Sequence, residues 1–183
     1  MKNLMIFLIS VHLSAFGSNN TPEAAAEAFY QWVLTHDVAG LPSRAQRQQL
    51  RRLLTPDFLH VLEEANKAQG RCIANVPQDM KPDIWEGSLF VTNYEGANEV
   101  WYGNKGVERQ DVIIQVNLLG LDPSRKKGDR YRAILWSDKV KLRKLKHAWL
   151  VADVMRGDSP NSSGRESLIG MLRKYIDVDC PRK

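Results

Sequence analysis

The sequence predicts an α+β domain, with N-terminal helices packed on one face of a curved antiparallel sheet of about four strands and a C-terminal helix after the sheet. Three observations predict it. Apolar residues recur at helical spacing as far as about residue 70. From about residue 97 they alternate instead, in runs joined by polar turns. Helical spacing then returns near the end of the chain. Helices segregated from hairpin-linked strands specify α+β rather than a parallel α/β sheet.

Each element has its own signal. Thr21 is an N-cap, Pro22 fits the first helical position, and Glu23 favours the first turn. Ala26, Phe29, Tyr30 and Val33 form one stripe on a helix over about 22–36. "LPSRAQRQQLRRLL" continues helically. Thr55-Pro56 restarts the helix, Phe58, Leu62 and Ala65 supply its stripe, and Gly70 is a stop signal. Cys72 to Gly96 has no sustained period and reads as a long irregular connection. Connections of that length are usually functional or disordered, and Trp85, Leu89, Phe90 and Tyr94 argue against disorder.

Strands are expected over Ala97–Gly103, Asp111–Leu119, Arg130–Leu145 and His147–Met155. "GNKG" at 103–106 reads as a turn. Leu168, Met171 and Leu172 mark the last helix, with Ser163 as a candidate cap.

The chain start carries a different signal. "MKNLMIFLISVHLSAFG" has one cation at Lys2, a short apolar run, and small residues at Ala15 and Gly17. That is the pattern of a secretory signal peptide over residues 1–17, cleaved after Gly17, which leaves a single domain over 18–183. The apolar run is shorter than the roughly 20 residues that span a bilayer. The expected location is therefore periplasmic or secreted, with no transmembrane segment in the mature chain. The full sequence carries a formal net charge of +5. Losing Lys2 and no acid leaves +4. In an exported chain, the preferred reading of that mild excess is an ordinary solvated basic surface; an anionic envelope surface or an acidic protein comes next, ahead of nucleic acid. Two cysteines, Cys72 and Cys180, are expected to form one disulfide in an oxidising compartment.

The final hairpin raises the chemical question. Asp138 and Asp153 each interrupt an apolar strand. A turn at "RKLKH" pairs residues whose numbers sum to 291, so that Leu142 faces Trp149, Val140 faces Val151, Asp138 faces Asp153 and Trp136 faces Met155. Two opposed carboxylates need a cation, backbone donors or a shared proton. One reading makes them a general acid/base pair in a pocket flanked by Trp136 and Trp149. The preferred reading is structural: they accept hydrogen bonds from the irregular loop, or pair with Lys81 or an Arg, and tie that loop to the sheet. The candidates for ligand or loop binding are Trp136, Trp149, Lys81, Glu86, Tyr94 and Glu95. No metal-ligand spacing, nucleophile elbow or phosphate loop is present, so no metal or cofactor is expected.

The ordered combination Lys81-Pro82, Phe90, Tyr94-Glu95-Gly96, Trp136-x-Asp138 and Trp149-x-Val151-x-Asp153-Val154 resembles a family of bacterial exported proteins. These carry the domain of unknown function three-eight-two-eight. The similarity covers about residues 22–157. The family's Gly-Asp position reads Gly87-Ser88 here, which removes that aspartate. The resemblance implies a cystatin-like cone of the nuclear-transport-factor-two and steroid-isomerase group, in which a bent sheet wraps helices around a pocket. It implies no established activity. The preferred function is a non-catalytic binding module for a small ligand or protein partner, including an inhibitor or immunity role. The alternative is an isomerase or dehydratase acting through the Asp pair.

Overall fold

A computed structural model of the chain describes residues 20–36, 38–77, 79, 81–82, 84–92, 96–122, 124, 126, 128, 133–157 and 166–177. Residues 1–17, Tyr94, Glu95, Ser163 and Cys180 lie outside them. Helices α1 (Pro22–His36), α2 (Arg44–Leu50) and α3 (Pro56–Asn75) come first. Strands β1 (Glu99–Glu108), β2 (Asp111–Leu121), β3 (Ala133–Leu145), β4 (Ala148–Arg156) and the two-residue β5 (Glu166–Ser167) follow, then α4 (Leu168–Ile176). The strands form one antiparallel meander in the order β1-β2-β3-β4-β5. The domain is α+β, as the periodicity predicts, and among the described residues β5 adds a fifth strand.

The caps behave as their chemistry requires. Thr21 Oγ1 accepts from Ala24 N at the start of α1. Ser43 opens α2 with a capping box, its hydroxyl accepting from Gln46 N while the Gln46 side chain accepts from Ser43 N. Thr55 caps α3 ahead of Pro56. Gly70 does not stop that helix. A Cβ at Gly70 would meet nothing, so the position is open and tolerated, and α3 runs on to Asn75, just before Val76-Pro77.

The core lies between the helices and the inner sheet face. Phe29, Tyr30, Phe58, Leu62 and Phe90 pack over Ile114, Val116, Leu118, Val140 and Leu142. Phe90 meets Phe29 edge-on with ring centroids 5.4 Å apart, so the irregular segment contributes to the core.

"GNKG" is not a turn. It lies within β1, where the register shifts between Tyr102 and Lys105, and the chain reverses at Arg109-Gln110, with Arg109 at φ 57°. Glycine and asparagine here serve a bulge, which draws on the same permissive residues as a turn. β1 is an edge strand, exposed along nearly its whole length. The opposite edge is covered. Val151 N donates to Leu53 O, Thr55 N donates to Val151 O, and β5 pairs beyond them.

Candidate functional site

The β3–β4 hairpin does not have the expected register. Leu145 pairs with Ala148 across a two-residue turn at Lys146-His147, with Lys146 at φ 56°. Opposed residues therefore sum to 293, and Leu142 meets Val151. A bulge follows, after which Lys141 meets Asp153 and Val140 meets Val154. Ala152 is the extra residue. Its insertion turns both Val151 and Val154 into the core, where both are fully buried, and sends Asp153 to the other face. Strict alternation would have turned Asp153 to the core face and Val154 away from it; Asp153 is still buried, under the start of α4. The two aspartates are therefore not neighbours, and the pair expected from the sequence does not form.

Asp138 is fully buried on the inner face, in one rung with Val116 and Tyr102. Thr92 N donates to Asp138 Oδ2 at 3.0 Å, and Gly157 N donates to Oδ1 at 2.8 Å. The Thr92 hydroxyl also bonds Oδ1. Arg156 completes the arrangement, its guanidinium donating to the carbonyls of Val91 and Thr92, both at 2.9 Å. Burial raises the Asp138 pKa, while the Thr92 hydroxyl, the two N–H donors and the Arg156 charge pull it back. Gly157 is required by space: a Cβ there would stand 1.9 Å from Ser137 O. Asp138 thus fastens the Phe90–Thr92 stretch and the end of β4 to β3.

Asp153 does a different job. Its Oδ1 accepts from Ile169 N at 3.1 Å and from Val154 N at 2.8 Å, and Ser167 Oγ donates to its Oδ2 at 2.5 Å. Ser167 is the N-cap of α4. An anion at this terminus satisfies a free helix N–H and complements the helix dipole. Both carboxylates are therefore held by donors, but only Asp138 takes them from the 81–96 segment.

The other candidates are dispersed. Lys81 pairs with Glu86 at 2.5 Å, and both are well exposed. Trp136 lies two residues from Asp138 on the same strand face, and Trp149 stands opposite Lys144; both are half-buried against the core. Thr92, Arg156 and Gly157 are the partners that sequence reasoning missed. Only Gly157, a glycine two residues past the expected end of the last strand at Met155, carries a signal that could have found its place.

Two donors in this region are unanswered. Tyr30 Oη and Trp136 Nε1 are buried with no hydrogen-bond partner. Burial, followed by the charge of Asp138, pushes the Tyr30 phenol well up. Among the described residues no group of three or more His, Cys, Asp or Glu could hold a metal ion, and no helix is long and apolar enough to cross a membrane.

No family model, curated protein or solved structure matches the chain.

Proposed function

We propose that the chain is an exported, non-catalytic binding module of the cell envelope, related to the family with the domain of unknown function three-eight-two-eight. The observation that carries this reading is that scaffold donors take three of the roughly four acceptor sites on each candidate carboxylate. Asp138 accepts from Thr92 and Gly157, and Asp153 accepts from Ile169, Ser167 and Val154. A general base needs an open lone pair facing a substrate, and these aspartates turn most of theirs to the scaffold. A ligand or an envelope protein, including a toxin met by an inhibitor or immunity partner, would then be held by surface groups. A second reading has one observation in its favour. Tyr30 Oη and Trp136 Nε1, two unanswered donors near Asp138, suit an enzyme that receives a carbonyl oxygen in the interior.

One variant separates the two. Asp138→Asn cannot accept from all three donors, and its amide group would face an N–H. It should lower the unfolding free energy by about 1–3 kcal/mol. Incubation of the parent with a β,γ-unsaturated ketosteroid should give no isomerisation. Turnover that Asp138→Asn abolishes without lowering the thermal midpoint would overturn the binding-module reading.

A further inference from the structure

The outer face of the sheet, away from the helices, carries an aromatic and polar platform. One rung joins Trp101, Asn117 and Ser137 across β1, β2 and β3. Trp101 is 43% exposed. Asn117 Oδ1 accepts from Gln115 Nε2 at 3.0 Å and from Ser137 Oγ at 2.7 Å. These bonds fix both amide planes. They leave Asn117 Nδ2 as a spare donor and Gln115 Oε1 as a spare acceptor. Gly103 keeps that donor open, since a Cβ there would stand 3.2 Å from Asn117 Nδ2. Lys139 lies opposite Gln115 on the next rung and has no carboxylate partner among the described residues. An open hollow of about 340 Å³ adjoins them, lined by Gln115, Lys139, Ile113 and β1 from Asn104 to Glu108. That volume falls in the range of about 300–1,000 Å³ usual for small-ligand sites.

We propose that this face binds a glycan built of acidic pyranose rings. A pyranose has an apolar C–H face, vicinal hydroxyls that each donate and accept, and, in a uronic acid, a carboxylate. The C–H face stacks on Trp101, where the negative face of the indole attracts polarised C–H bonds. The vicinal hydroxyls meet Asn117 Nδ2 and Gln115 Oε1, and the carboxylate meets Lys139. Single-stranded nucleic acid fits less well. Successive bases need repeated stacking platforms and a row of cations for the phosphates. Trp101 is the one aromatic ring on this face among the described residues. The neighbouring cations are already engaged, Arg143 with Asp111 at 2.7 Å and Lys141 with Glu108 at 3.9 Å.

The proposal rests on the binding-module reading and names its ligand class. The test is a calorimetric titration of the purified protein with a hexamer of galacturonic acid, with neutral cellohexaose and with a thymidine hexanucleotide. The acidic hexamer should bind saturably and more tightly than the other two. Trp101→Ala should weaken it about tenfold or more. Lys139→Gln should weaken it and flatten its salt dependence. Gly103→Val should abolish binding. The indole Nε1 resonance of Trp101 in the unmodified protein should shift during the titration, a readout that needs no variant. The glycan assignment falls if neither glycan saturates, if the Trp101 resonance stays still, if the acidic and neutral hexamers bind alike, or if the oligonucleotide binds tightest. None of those results touches the binding-module reading. Shortening of the glycan during incubation would overturn that reading and leave the site standing.

Discussion

A buried carboxylate is defined by what answers it. Asp111 and Asp138 lie on the same sheet and are answered in opposite ways. Asp111 meets Arg143 across the β2–β3 ladder through two parallel bonds, at 2.7 and 2.8 Å. The guanidinium holds the Asp111 carboxyl below its ordinary value. Asp138 receives neutral N–H and O–H groups, and burial raises it. The pH consequence follows for Asp111. Its folded pKa lies below the unfolded value of about 3.9, so the unfolded state binds the proton first. Its stabilising effect is fully present above about pH 4 and is lost as pH falls through the lower, folded pKa. Asp111→Asn should lower the thermal midpoint at pH 7 and lose less than the parent between pH 5 and pH 3. Parallel midpoint curves for variant and parent across that range would show that the pair contributes no pH dependence.

Elements with periodic cores were legible, because a stripe such as Phe29, Tyr30 and Val33 must face the sheet whatever the connections do. The antiparallel meander was legible for the same reason, and so were the caps at Thr21 and Thr55. The hairpin register was not. It depends on where a two-residue turn sits and on one inserted residue, Ala152, and neither changes composition. The signal that remained was Val154, an apolar residue on the side that strict alternation would have assigned to solvent. Thr92 and Arg156 were invisible because their partners lie dozens of residues away. The register has a measurable consequence. Asp138 and Asp153 lie on opposite faces, share no hydrogen-bond partner, and anchor different elements. Their alanine substitutions should therefore add within about 0.3–0.5 kcal/mol in a double-mutant cycle. Asp153→Ala alone should also speed amide exchange at Ile169, the N–H it accepts from in α4. A coupling above about 1 kcal/mol, of the kind a relieved carboxylate repulsion produces, would restore the opposed pair.

At the scale of the whole molecule, the question is how the two ends of the fold are held together. α4 docks beside α3, and Tyr175 Oη bonds Gln69 Oε1 at 3.4 Å, while the Tyr175 ring meets Trp85 edge-on at 5.9 Å. These contacts bring the end of α4 to the last turns of α3. Cys72 lies one helical turn beyond Gln69, is buried at 3% exposure, and is not a free thiol; no cysteine is free among the described residues. The sequence offers one other cysteine, Cys180, five residues after Tyr175. Five residues of chain reach at most about 16–18 Å, ample for the approach that a disulfide requires. A Cys72–Cys180 bond would close a loop of roughly 100 residues, worth about 4–5 kcal/mol in the chain-entropy model. The unreduced protein should thus show no reactive thiol after unfolding, and two after reduction. Cys180→Ser should lower the thermal midpoint by several degrees and make reducing agent irrelevant to it. Two titratable thiols in the unreduced, unfolded chain would remove the bond, leaving the α3–α4 packing and the Tyr175–Gln69 contact to hold the C-terminal helix.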